Sequence, residues 1–552
     1  MHGTAPAAFS LALFFGLSQL LPQGTPGSED EPLGPGPQWR GPVRPLASNE
    51  VFATGNGCSM CHSAADTAFA MRSPTGDDVS PHGLWQATMM ANSFRDPYWR
   101  GTVAKEIALH PEQARGIQSM CVRCHAPMAH HTAAFAGELP APVAELADDP
   151  LAVDGVSCTV CHKIEARGLG TPASFSGHAK IGRDRAIYGP FADPAAGPMQ
   201  MHSGYEPQQG SHIQSSAHCA TCHTLSTHYA LGAEAFPEQT PYFEWRNSQF
   251  SDEGGRTETS KSCQECHMPD MGVIKIARNP AGLDFLIQPR PFRAHAFVGG
   301  NAFMLDLLAA HREELGVLAP AAALARMALA TRAQLADRTA LVTVTQPERK
   351  DDRLEFAVRV ENLTGHKFPT GYPARRAWLR VQVRAGNKLV FESGKVDEQG
   401  RLALVPDELA LPHLNRIEAP EDVLVWELVA ADATGAPTTD LTSMATRLKD
   451  NRLLPKGWQA AGPHAESTAP IGTEADTDFV AGGDTVQFSV PLPEDTPGGL
   501  RVLAWLHYQT IPPAWVDSLR NVDAEECASF VRMYDAASKS PETIGIGQAF
   551  ER

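Results

Sequence analysis

The sequence predicts a multidomain chain: a mostly α and irregular first part, followed by an all-β, sandwich-like second part. Three observations carry this. Residues 50–300 are rich in Gly, Pro and turn residues and poor in periodic apolar runs. The stretch "NAFMLDLLAAHREELGVLAPAAALARMALATRAQL" has apolar residues at helical spacing, and Pro320 opens a second helix within it. Beyond residue 338 the period falls to two. Leu354, Phe356, Val358 and Val360 alternate with charged or small residues. So do Leu379, Val381 and Val383, then Val486, Phe488 and Val490, then Leu500, Val502, Ala504 and Leu506.

The chain divides as follows. Residues 1–24 hold the apolar run "AAFSLALFFGLSQLL", which has the length of a signal-peptide core rather than of a membrane span. Its leading segment carries His2 but no Lys or Arg, so an uncleaved anchor is the alternative. Residues 25–49 are a Pro/Gly-rich linker. Residues 50–300 form the first domain, 301–338 a helical connector, 339–513 the β-sandwich domain, and 514–552 a helical tail.

The first domain contains a repeated short motif. Cys58-Ser-Met-Cys61-His62 is followed by Cys121/Cys124/His125, Cys158/Cys161/His162, Cys219/Cys222/His223 and Cys263/Cys266/His267. Ten of the 11 cysteines fall in these pairs, and a histidine follows each pair. Chance placement of five such histidines has odds of roughly one in ten million at this composition. Zinc ribbons need no His after each pair, and a dithiol redox site needs only one pair. The motifs read as five covalent c-type haem sites. On one helical turn, positions i, i+3 and i+4 share a face. Two thiols there can hold one porphyrin, and the adjacent imidazole can reach its iron. The gaps between motifs are unequal, which excludes a simple repeat array.

Composition limits the partners. The formal net charge is −17, which disfavours nucleic acid and anionic lipid surfaces. Redox proteins, other cytochromes above all, suit the haems, and self-assembly is a further possibility. No integral membrane span is expected outside the N-terminal run. Cys527, outside the pairs, reads as a buried structural thiol.

A low-spin haem needs a second axial ligand. The candidates are His82 in an aromatic, Met-rich run, His202 and His212 in loops before the fourth motif, His295 in "PRPFRAHAFVGGN", and His366 in "NLTGHKFPTGYPARRAW". Arg290, Arg293, Arg375 and Arg376 lie near the last two in sequence and could pair with propionates. His218 adjoins Cys219 and ranks low, as does Met128.

On these residues the chain resembles exported bacterial multihaem (pentahaem) c-type cytochromes, related to the cytochrome c-554 and hydroxylamine-oxidoreductase superfamily. The five motifs carry the resemblance, with "HGLWQATMMANSFRDPYWR", "SSAHCATCHTL", "EWRNSQF", "RAHAFVGGNAFML", "TGHKFPTGYPARRAWL" and "LHYQTIPPAW". It implies heme c, a periplasmic or extracellular location, and electron transfer along closely spaced, mostly bis-His haems. Two other roles remain open: a multihaem oxidoreductase acting on a small nitrogen or sulfur species at one open haem, and a filament-forming or complex-docking subunit. Two departures stand out. All five motifs end in His, without the C-x-x-C-K of pentahaem nitrite reductases. Gln249 stands where cytochrome c-554 proteins often have His. No catalytic residue is assigned. Surplus residues such as His130, His131, His228 and Tyr229 are the candidates if one haem is open.

Overall fold

A computed structural model describes residues 47–551, apart from 229, 231–232 and 285–287. The signal-peptide reading, most of the linker and Tyr229 lie outside the described residues. The molecule is multidomain, with helices and several β-sheets. No helix among the described residues is long and apolar enough to cross a membrane.

The motif-bearing part is built of short helices with strong local start signals. Asp96 caps Pro97–Leu109, its carboxylate accepting from the backbone N–H of Tyr98 and Trp99. Pro97 fills the first helical position, where no N–H is needed. Strands are few and short. Ala186–Gly189 pairs with Glu206–Gln209 in parallel, and Asp270–Ile274 pairs with Arg290–Arg293 antiparallel. The apolar residues gather in separate small clusters, such as Phe94, Trp99, Val103 and Val122, or Phe52, Met128, Val160 and Ile181. The connector forms Ala302–Ala310 and Ala321–Arg338, with Pro320 as the N-cap of the second.

The second part contains two main sheets. One has the order Lys388–Ser393, Arg376–Ala385, Arg501–Gln509, Glu542–Phe550, with all neighbours antiparallel. The other runs Arg416–Ile417, Gly483–Pro491, Arg353–Asn362, Ala340–Val344. Alternate side chains of both sheets meet in one core, including Phe356, Val381, Phe488 and Val502. Phe356 and Phe488 stand opposite in register and stack at 4.9 Å. Each fully buried side chain of this size contributes about 1.5–3 kcal/mol.

The segment read as a helical tail needs a correction. Pro513–Arg520 and Glu525–Ala536 are helices, but Glu542–Phe550 is a strand that completes the first sheet. Its alternation is hidden by glycine. A Cβ at Gly545 would stand 2.9 Å from a methyl of Val342, so only glycine allows this approach to the second sheet. The tail helices also reach back to the first part. The Cys527 thiol donates to the Gly101 carbonyl at 3.1 Å, and burial pushes it up to about 11, as suits a structural thiol. A further core joins Tyr98 and Phe236 of the first part to Met444, Trp515 and Phe530 of the second.

Candidate haem sites

Each motif is one turn of helix. Four lie wholly within Gly55–His62, Ala114–His125, Cys158–Lys163 and Cys263–His267. The last is set by a capping box: Ser262 accepts from the Glu265 N–H, and the Glu265 carboxylate accepts from the Ser262 N–H. The fourth motif begins at the end of Ser216–Ala220, and its turn is closed by the His223 N–H bonding the Cys219 carbonyl at 3.0 Å.

Every cysteine and histidine of the five motifs lines one connected cavity of about 1890 Å³. An ordinary small-molecule pocket holds about 300–1,000 Å³, so this space suits several large planar groups. The ten thiols are free of disulfides.

The motif imidazoles have the chemistry that an iron ligand requires. The Nδ1–H of His62 donates to the Ile276 carbonyl at 3.1 Å. That of His125 donates to Ser93 at 3.0 Å, His162 to Tyr188 at 2.6 Å, and His267 to Val298 at 2.5 Å. A carbonyl only accepts, so the proton is on Nδ1 and the lone pair is on Nε2. Burial pushes all five rings down, to about 4 at His125 and His223, which keeps them neutral. His223 makes no such ring hydrogen bond among the described residues; the Arg375 charge adds to its depression. Trp99 lies flat on His125 at 4.5 Å and fixes that ring's rotation.

Two pairs of imidazoles face each other across the cavity. His162 and His295 have centroids 6.4 Å apart and planes 17° apart. His267 and His366 have centroids 6.3 Å apart and planes 9° apart. In both distal rings Nδ1 is again tied to a carbonyl: His295 to Arg293 at 3.2 Å and His366 to Lys367 at 2.9 Å. A metal ion held between two imidazoles, with bonds of about 2.0–2.1 Å as zinc makes to His nitrogen, puts the ring centres roughly 6 Å apart. The residues present therefore fit axially ligated haem at the third and fifth motifs.

The other distal candidates separate by position. His82 is buried, lines the cavity, and shares a hydrogen bond with Ser63 through Nδ1 at 3.1 Å. His202 is exposed, at the rim of the cavity on Ala196–Ser203. His212 is not among the lining residues; its Nε2 donates to the Ile164 carbonyl at 2.8 Å. His218, ranked low from sequence, lines the cavity with a buried Nδ1 that has no hydrogen-bond partner. Its adjacency to Cys219 gave no signal, since consecutive helix residues do not share a face. Met128 packs away from the cavity, among Phe52 and Val160. His130, His131 and His228 do not line it either.

The arginines also sort. Arg375 lines the cavity; its Nη1 donates to the Thr370 carbonyl at 2.8 Å, while its buried Nε has no partner among the described residues, as a propionate neighbour would. Arg376 points elsewhere, into a buried pair with Glu408 at 2.9 Å. Arg290 pairs with Asp193 at 2.7 Å.

The thiols of different motifs lie side by side. Cys58 meets Cys158, Cys124 meets Cys222, and Cys219 meets Cys263. Cys161 feels the field of Cys222. The motifs thus connect in the order one, three, four, with two and five both adjoining four.

In the second part His413, Asp476 and Asp484 lie within 4.8 Å of one another, a spacing open to a metal ion. The hydrogen bonds speak against one. Asn451 donates to His413 Nδ1 at 3.0 Å, so Nε2 carries the proton and donates to Asp476 at 2.8 Å. A metal-bound His needs the opposite arrangement.

No protein-family model matches the chain, and no curated protein does. Among solved structures, a penta-heme cytochrome c552 from Thermochromatium tepidum superposes with a TM-score of 0.47 at 15% identity, over 85% of this chain and 94% of that one.

Proposed function

We propose that this chain is an exported electron-transfer protein with five covalently attached c-type haems. In this reading it passes electrons along the row one–three–four, with arms at two and five, to or from a partner cytochrome. The observation that carries it is the pair of near-parallel imidazoles at 6.3–6.4 Å, each with Nδ1 tied to a backbone carbonyl. Bound haem would supply reversible one-electron chemistry. The chain's own residues would do the rest. Ten thiols would anchor the haems, and His62, His125, His162, His223 and His267, with His295 and His366, would hold the irons. Filled coordination suits transfer rather than turnover. The intact mass of the matured protein is expected to exceed the polypeptide by five haems, and magnetic circular dichroism to give low-spin bis-His signals from at least the third and fifth haems. Zinc or free thiols at the motifs would overturn the reading.

One observation favours the oxidoreductase reading. Glu238 lines the same cavity, 3% exposed, and burial next to Glu106 pushes it up to about 7. Its field reaches Cys121 of the second motif, and the phenols of Tyr98 and Tyr372 meet nearby at 3.3 Å. A carboxyl poised near neutrality beside a haem is a proton donor for small-molecule reduction. Carbon monoxide binding at the second haem would select this reading; its absence at all five would remove it.

A further inference from the structure

We propose that Glu244, in the motif-bearing part, is the positioning residue that holds His366 of the two-sheet part over the fifth motif. The inference rests on the reading of His366 as the axial partner of His267. Glu244 sits on Pro241–Arg246, fully buried. One carboxylate oxygen accepts from the Lys367 N–H at 3.0 Å and from the Thr370 hydroxyl. Both donors lie on the loop that carries His366, the first of them the residue directly after the histidine. The other oxygen accepts from Thr240 at 3.0 Å and meets Arg452 at 3.2 Å.

The charges close on themselves. The Lys367 ammonium pairs with Asp450 at 2.7 Å, and Arg452 makes two bonds to the same carboxylate at 2.8 and 2.9 Å. All four groups are 4% exposed or less. Arg447, at the edge of the cluster, adds a third cation 3.2 Å from Asp450, so each buried carboxylate is met by cations with no solvent to replace a missing member. The next residue of the helix adds a steric stop. A Cβ at Gly365 would stand 3.2 Å from the Trp245 ring, so the loop lies flush on the helix one residue before the histidine. From the sheet side, Asn362 donates to the His366 carbonyl at 2.8 Å. With its backbone held on both sides and its Nδ1 bonded to Lys367, the ring has one direction left, toward His267. The acid comes from one part and the ligand from the other, so coordination of the fifth haem depends on how the two parts dock.

The test uses the full-length holoprotein. Glu244→Ala is expected to convert one haem of five to a high-spin, carbon-monoxide-binding state, and added imidazole to restore the low-spin signal. His366→Ala must convert the same haem. If it does not, His366 is not a ligand and the underlying reading fails. If His366→Ala converts one haem and Glu244→Ala converts none, the positioning role alone is overturned. Should Glu244→Ala not accumulate, Thr370→Val removes a single hydrogen bond, and carbon monoxide is expected to bind that haem several-fold faster; an unchanged rate counts against the proposal. Glu408→Gln breaks an equally buried pair with Arg376 away from the cavity. Conversion of a haem there would mean that general loosening suffices, which also overturns it.

Discussion

The two parts of this molecule solve the problem of an interior in opposite ways. Around the five motifs, side chains form small separate clusters on the walls of a cavity of about 1890 Å³. In the two-sheet part, Val358, Val381, Phe488, Val502 and Leu506 belong to one continuous core. A chain folds alone only if its own apolar surface outweighs the entropy of ordering it. The second part meets that condition with side chains. The first is arranged to meet it with something added. In the first part, small separate clusters and a large cavity go together, as they would where a covalently held group completes the interior.

The largest expected effect tests this contrast directly. Polypeptide made without haem attachment is expected to lose hydrogen-exchange protection throughout 47–300 while Arg353–Asn362, Arg376–Ala385, Gly483–Pro491 and Arg501–Gln509 stay protected. Equal loss in both parts would show that the shared core of Tyr98, Trp515 and Phe530 makes them one cooperative unit.

Next in size are the ligands. His295→Ala and His366→Ala are each expected to add one high-spin haem, and the double variant two, with the two-sheet part unchanged by far-ultraviolet circular dichroism. A single variant that converts more than one haem would mean the axial pairs are not independent.

A cavity within the filled core acts the other way. Phe488→Ala is expected to lower stability by about 3–5 kcal/mol, read as a fall in Tm, with no change in the haem spectrum. A spectral shift would show that the core is mechanically coupled to the haems.

The smallest effect is a pH slope. Asp484 is buried against Trp426, whose indole donates to it at 2.9 Å, and burial pushes its carboxyl up from the usual range to about 7. In the unfolded chain it ionises near 4. Between the two values the folded state holds a proton that the unfolded state does not. Its contribution is thus greatest below pH 4 and lost as pH rises through about 7. Asp484→Asn is expected to flatten the decline in Tm between about pH 4 and pH 7. An unaltered decline would assign the slope to other groups.

Much of this was legible in sequence because the signals are local. Pro320 is the N-cap of the second connector helix, which begins at Ala321 as the sequence predicts. The period of two from Leu354 to Val360 lands on a strand whose alternate residues are fully buried. The strand Glu542–Phe550 was not legible, since its glycines carry no apolar side chain to mark the period, and their value lies in how close they let Val342 come. Glu244 was equally silent. Nothing around it in sequence names Lys367, Thr370 or Arg452 as partners more than 100 residues away.

The sequence by itself determined the local geometry of the motifs: thiols three residues apart and a following imidazole share one helical face, whatever surrounds them. It also determined which segments alternate and so can form sheets. Only the tertiary structure decided which histidines face which. His366 lies 99 residues after His267, yet their rings stand 6.3 Å apart. His212, nearer its motif in sequence, turns its Nε2 to a carbonyl instead. Helical geometry acts over a few residues and can be read along the chain, whereas an axial pair depends on where two distant backbones come to rest, which is set by packing and buried charge between them.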